Sequence, residues 1–386
     1  MKSIPYARQD ISQADIDAVV SVLRSDWLTQ GPAIDQFEQS IAKYCGAAHA
    51  VATSNATTAL HLACRILDLG PGDSLWTSPN TFVASANCAL YCGATVDFVD
   101  IDPLTYNLSP VRLEEKLAAA ARKGTLPKII VAVHFAGQPC DMAAIGALAK
   151  RYGVAVIEDA AHAVGAVDGP DRVGAGRHSD IAIFSFHPVK ILTTGEGGML
   201  LTNRADLDTR ARLLRSHGIT RDSMRMEGPS DGAWYYQQVE LGFNYRITDL
   251  QAALGLSQAG RLDEFLRRRR ELAANYGRLL ENVPVIVPWQ RPESESAWHL
   301  YVIRIGGDAG MGRREVFDAL QSAGIRVNVH YIPVHLQPYY RKLGFNPGDF
   351  PEAERYYEEA ISLPMFYGLS DADQRYVVEQ LERILS

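Results

Sequence analysis

From His49 to Ile157 the sequence alternates short apolar runs with helix-patterned stretches. Two of the runs, Ile129-Ile-Val-Ala-Val133 and Val154-Ala-Val-Ile157, are apolar at every position. A strand with one wet face alternates polar and apolar residues, whereas one apolar throughout is covered on both faces, as parallel strands joined by helices are. Strands are read at 50–53, 74–77, 95–99, 128–134 and 154–157. Helices are read between them, one opening at 54–58 and reaching 69, the others at 80–91, 110–122 and 142–152. The expected fold class is α/β, a mostly parallel sheet flanked by helices. At 386 residues the chain is too long for one small core. A large domain is expected at 1–249 and a smaller α+β C-terminal domain at 250–386, with residues 1–12 placed to pack on the smaller one. In the second part, 248–280 reads as one helix, 298–305 and 326–329 as strands around a helix at 314–322, and 371–385 as a closing helix. The stretch 218–238 reads as a long loop, functional or crossing to another subunit.

The formal net charge is -7, and the one basic block, Arg267–Arg270, sits in the helix-patterned stretch 258–280, where it reads as a solvated face. No nucleic-acid partner is expected. The five cysteines are odd in number and form no CxxC pair, which argues against a disulfide framework and a zinc site, so they are expected reduced and buried, and no metal is expected. No signal-peptide pattern follows Met1 and no apolar run has membrane-spanning length, so the expectation is a cytoplasmic protein with no membrane partner.

The stretch Asp180–Asn203 carries the chemistry. A strand-like run ends at Ser185, Lys190 follows on a turn, and Gly195, Gly197 and Gly198 lead into a second strand. A lysine on a turn between two anchored strands can sit partly desolvated, where its pKa falls and its amine attacks carbonyls. Pyridoxal phosphate asks for such an amine, and also for a carboxylate at its pyridine nitrogen, donors for its phosphate and a flat partner for its ring. Asp159 stands at the carboxyl end of an apolar strand, where ligands collect in open α/β sheets, and strand alternation turns Glu158 to the other side. The segment Ser54-Asn-Ala56-Thr57-Thr58 opens a helix whose free N–H groups favour an anion, with Ser185 supplying another hydroxyl. Phe82 can lie flat on the ring. Each residue alone also has a plain reading: a surface lysine on a hairpin, a loop carboxylate, an ordinary helix cap, a core phenylalanine.

Together these motifs are similar to the nucleotide-sugar aminotransferases of the DegT type, pyridoxal-phosphate enzymes of fold type I. The resemblance spans nearly the whole chain and is carried by Trp27–Pro32, Ser54–Leu60, Glu158–His162, Ser185–Lys190, Thr194–Gly198 and Gly242–Thr248. It implies Lys190 as the cofactor's covalent attachment point and proton shuttle and Asp159 on the ring nitrogen. It further implies Ala56, Thr57 and Ser185 on the phosphate, Phe82 on the ring face, and His162 beside the phenolic oxygen. Asn244 would reach the phosphate of a neighbouring subunit, making a homodimer with shared sites. On the substrate side it implies Tyr6, Trp27, His187, Arg246, His330 and Tyr331, with Arg246, His330 and Arg8 as candidates for a UDP diphosphate. Dehydratase relatives carry histidine in place of the lysine, so Lys190 points to transamination. Within the family, His187-Pro-Val-Lys190 with Thr193–Gly198 is most similar to members of the pseudaminic acid pathway. That implies transfer of an amino group from L-glutamate to C4 of a UDP-linked 4-keto-6-deoxy-N-acetylhexosamine. Another nucleotide-linked keto sugar, or a non-catalytic regulator on the same fold, are the competing readings. A nicotinamide oxidoreductase is disfavoured because no GxGxxG follows the early strands.

Overall fold

The computed structural model describes residues 3–386. Its central sheet has seven strands: β1 (His49–Thr53), β2 (Ser74–Thr77), β3 (Thr95–Phe98), β4 (Ile129–Val133), β5 (Ala155–Asp159), β6 (Ile181–Ser185) and β7 (Gly198–Thr202). Their spatial order is β1-β7-β6-β5-β4-β2-β3. Neighbours among β2 to β6 are parallel, and β7 runs antiparallel to both β1 and β6. The helices are α1 (Gln13–Leu23), α2 (Pro32–Cys45), α3 (Ala56–Ile66), α4 (Ala84–Tyr91), α5 (Pro110–Lys123), α6 (Met142–Tyr152), α7 (Ala205–Arg215), α8 (Asp249–Ala259) and α9 (Leu262–Leu279). One sheet face carries Val51, Leu75, Val131, Ile157 and Ile183 and packs under α3, α4 and α7. The other packs on α2, α5, α6, α8 and the first half of α9. The sheet is thus covered on both faces, the condition that makes β4 apolar throughout.

A further core joins the second half of α9 to β8 (Tyr301–Arg304), α10 (Arg313–Ser322), β9 (Ala360–Leu363) and the last helix (Asp371–Leu385), with Ile4 packed into it. Ile4 also bridges Ile325, tying the N-terminal segment to this region. Helix α9 belongs to both cores, since Phe265 and Leu266 face the sheet and Leu272 and Tyr276 face β8.

Several expected elements are redrawn by tertiary contacts. The helix read at 80–91 begins only at Ala84, because Ser78 and Thr81 side chains occupy the turn before it. The helix read at 248–280 is two helices, interrupted at Gly260–Arg261, where Arg261 is drawn to Asp10 and Asp15. The strand read at 326–329 is absent; Arg326 bonds the Ile4 carbonyl and Asn328 bonds Ser362, so the segment is shared out instead of forming a ladder. The loop at 218–238 contains a short antiparallel ladder, Ile219–Thr220 with Gln237–Gln238. The arginine block is not a uniform solvated face. Arg267 and Arg270 are exposed, but Arg269 lies four residues after buried Phe265 and points inward, donating from Nη1 to the carbonyls of Trp298 (3.0 Å), His299 (3.2 Å) and Met365 (3.2 Å). All five cysteines are free and buried. Among the described residues no helix is long and apolar enough to cross a membrane, and no group of side chains is arranged to hold a metal.

Candidate active site

The register of the sheet brings the ends of three strands together: Val133 pairs with Asp159, and Asp159 with Ile183, two residues before Ser185. A cavity of about 700 Å³ opens at these carboxyl ends and at the start of α3. This is where the parallel strands of an open α/β sheet leave a crevice.

At one end of the cavity lies a cradle for an anion. Asn55 caps α3, its Oδ1 accepting the Thr58 N–H at 2.9 Å, while the Ala59 N–H goes to the Asn55 carbonyl. Ala56 and Thr57 supply the first-turn N–H donors, and with Ser185 they line the cavity. Gly198 of β7 passes so close that a Cβ there would lie 2.4 Å from the Asn55 backbone. The cradle therefore needs a glycine at 198.

Lys190 sits on an excursion between β6 and β7 that is pinned at its base. The Phe186 N–H bonds Gly197 O, the Thr194 N–H bonds Phe186 O, and the Lys190 N–H bonds His187 O. Burial lowers the Lys190 pKa to about 8, against the opposing pull of the Asp159 charge. Asp159 faces the same cavity, and Glu158 turns away to His134 Nε2 at 2.8 Å.

The opposite wall is built of neutral imidazoles and tyrosines. His162 Nδ1 accepts the Ala136 N–H at 3.2 Å, so its proton is on Nε2, 3.1 Å from Tyr331 Oη. Burial, then Lys190 and His330, hold His162 well below the ordinary imidazole range. Burial and the Lys190 charge lower His330 to about 3. His299 packs on His162 with ring centroids 4.4 Å apart and is likewise held neutral, chiefly by burial.

Of the residues read from sequence, Tyr6, Ala56, Thr57, Phe82, Asp159, His162, Ser185, His187, Lys190, His330 and Tyr331 are gathered around this cavity. Trp27, Asn244 and Arg246 are not; Trp27 and Asn244 are exposed. Arg8 lines a small void on the far side of Lys190, with Arg269. Both ring nitrogens of His162 are already engaged, so it meets the cavity largely through Tyr331. Sequence reasoning missed His299, Glu196 and Thr81, which also line the cavity. Only the strand-like pattern beginning at Trp298 hinted at His299.

An amine with a lowered pKa, a carboxylate across the cavity, unused helix N–H donors and an open aromatic face are together the donor set that pyridoxal phosphate requires. The DegT/DnrJ/EryC1/StrS aminotransferase family matches residues 9–382. The chain belongs to this family. It is accordingly a pyridoxal-phosphate-dependent nucleotide-sugar aminotransferase of the fold type I architecture. It is 42% identical to the spore coat polysaccharide biosynthesis protein SpsC of Bacillus subtilis, over 99% of this chain and 97% of that one. It is 36% identical to the UDP-4-amino-4,6-dideoxy-N-acetyl-beta-L-altrosamine transaminase of Campylobacter jejuni, again over 99% and 97%. Among solved structures, Helicobacter pylori PseC, an aminotransferase involved in the biosynthesis of pseudoaminic acid, superposes with a TM-score of 0.91 at 28% identity, covering 100% of this chain and 99% of that one. A putative sugar aminotransferase of Streptococcus pneumoniae, Spr1654, in its PLP form gives 0.89 at 29% identity, with 100% and 99% covered.

Proposed function

We propose that this aminotransferase moves an amino group from L-glutamate to the C4 keto group of a UDP-linked 4-keto-6-deoxy-N-acetylhexosamine, in the cytoplasm and as a homodimer. The observation that carries the mechanism is that Lys190, its pKa lowered to about 8, and Asp159 line one cavity at the strand ends. In this reading Ala56, Thr57 and Ser185 hold the phosphate of pyridoxal phosphate, Asp159 its ring nitrogen and Phe82 one ring face, while Lys190 is its point of attachment. When bound, the cofactor supplies an electron sink that stores the amino group between the two halves of the reaction.

The protein's own part is proton management. With a pKa of about 8, Lys190 gives up its proton readily near neutral pH, which would suit its amine to act as a nucleophile and as a base that moves a proton. Asp159 presents its carboxylate to the cavity, where it would meet the ring nitrogen. Tyr331, receiving the His162 Nε2–H, has its own hydroxyl proton free to donate into the cavity, and with Tyr6, His187 and His330 it forms the substrate side. His162, His299 and His330, all held neutral, line this wall without adding charge to it.

The support for a shared dimer is a charge inventory. Among the described residues no arginine lines the cavity, yet a UDP diphosphate calls for cations. Exposed Asn244, with Arg246 two residues on, lies outside its own chain's cavity, which is consistent with use by a second copy. The 36% identity to the altrosamine transaminase favours the C4 keto sugar over other nucleotide-linked keto sugars.

The test is to incubate the protein, pyridoxal phosphate and glutamate with a panel of UDP-keto-sugars and identify products by NMR. Amination of the 4-keto-6-deoxy-N-acetylhexosamine at C4 is expected, and Lys190→Ala should lower turnover by at least about 10²–10⁴-fold. Undiminished turnover by that variant overturns the mechanism, and amination of a different sugar overturns the substrate.

A further inference from the structure

Asp159 is held by a chain of hydroxyls that begins at the cavity wall. Its Oδ2 accepts from Ser85 Oγ at 2.6 Å, and Ser85 Oγ lies 2.7 Å from Thr81 Oγ1. Its Oδ1 accepts the Ala161 N–H at 3.1 Å. Ser85, Thr81 and Asp159 are all buried. An ionised carboxylate only accepts, so Ser85 spends its single proton on Asp159. The Ser85–Thr81 bond must then run from Thr81 to Ser85, which fixes the direction of the whole chain.

We propose that Ser85, backed by Thr81, is a positioning residue that holds the buried Asp159 carboxylate aimed into the cavity. The proposal rests on the reading that Asp159 meets the ring nitrogen of the cofactor. Without the Ser85 donor, Oδ2 has no other hydrogen-bond partner among the described residues. A buried carboxylate oxygen stripped of its donor is left unsatisfied, and the side chain loses the contact that fixes its direction. A carboxylate turned from its place no longer meets the nitrogen opposite and holds that nitrogen's proton less firmly. The stretch from Thr81 to Ser85 also carries Phe82, so one short segment leading into the first turn of α4 sets both the carboxylate and the aromatic face.

The experiment compares Ser85→Ala, Thr81→Val and Asp159→Asn with the unaltered protein. Three quantities are read: the dissociation constant for pyridoxal phosphate by equilibrium dialysis, the pH titration of the bound cofactor's absorbance, and the melting temperature without cofactor. Ser85→Ala should weaken cofactor binding about tenfold and move to lower pH the titration in which the ring nitrogen loses its proton. Thr81→Val should shift both the same way by less, and Asp159→Asn should cost more than either. A Ser85→Ala protein that keeps the unaltered affinity and titration, while Asp159→Asn loses both, overturns the role of Ser85 and leaves the reading of Asp159 standing. An Asp159→Asn protein that keeps both overturns the two together. A Ser85→Ala protein that melts earlier but titrates unchanged shows a purely structural serine and also overturns the proposal. Should Ser85→Ala fail to fold, Thr81→Val, which keeps the side-chain volume, decides by the same titration.

Discussion

The pKa of Lys190 links the chemistry to the stability of the cofactor-free protein. A lysine that titrates near 8 when folded and near 10.5 when unfolded binds more protons in the unfolded state between those values. Stability therefore rises as pH climbs from about 8 to about 10.5, and the cost of burying the charge is fully present below pH 8. The shift corresponds to about 3 kcal/mol at most. Replacing the lysine by methionine should abolish this contribution. Urea unfolding at pH 7 and pH 10 should show the variant gaining stability relative to the unaltered protein at pH 7, with the gap closing at pH 10. A gap independent of pH would mean that the amine is not desolvated in the folded state.

Tyr331 offers a second test at the scale of one atom. Its hydroxyl accepts from His162, whose tautomer is set by the Ala136 N–H, so its own proton is available to a ligand. Tyr331→Phe removes that donor and leaves the His162 Nε2–H without an acceptor among the described residues. The expected result is a fall of about 10- to 100-fold in kcat/KM with little change in melting temperature. Steady-state kinetics and a thermal scan check the two halves.

At the scale of elements, the site depends on how closely β7 runs past the start of α3. The Gly198→Ala methyl would lie 2.4 Å from the Asn55 carbonyl carbon and 2.6 Å from the Ala56 nitrogen, and backbone cannot step aside as a long side chain can. One of the two elements must shift, and with it the N–H groups that face the cavity. The variant should bind pyridoxal phosphate at least about tenfold more weakly, because donors displaced by a few tenths of an ångström no longer converge. Equilibrium dialysis would show it. Arg269 works at the same scale, since two of its carbonyl bonds hold the Trp298–His299 segment and the third ties it to Met365.

For the whole molecule, the proposal of shared sites makes a prediction that neither variant makes alone. Lys190→Ala lacks its own chemistry, and Asn244→Ala spoils the site of its neighbour. Mixed and allowed to exchange subunits, the two inactive or weakened proteins should regain activity, because a hybrid dimer holds one site with both residues intact. Absence of recovery in a mixture shown by native mass spectrometry to contain hybrids would end the shared-site reading.

Much of this molecule was legible in the sequence because its determinants are local. A strand buried on both faces must be apolar throughout, so β4 and β5 announced the α/β sheet, and residues at strand ends or helix starts, Asp159, Ser185, Lys190 and Thr57, are neighbours of those patterns along the chain. Helix ends and the small sheet were read less well, since Arg261 breaks α8 from α9 through carboxylates about 250 positions away and Ile4 occupies the edge expected to be a strand. Periodicity marked Arg269 as one of four solvated arginines, and only the docking of 298–299 and Met365 turned it inward. The sequence by itself thus determined the layered architecture and pointed to most of the residues that the cavity gathers, because both follow from short stretches of chain. Tertiary structure alone decided which hydroxyl steadies Asp159, which histidine packs behind His162 and which tautomer that ring adopts, because these are contacts through space between segments that no spacing relates.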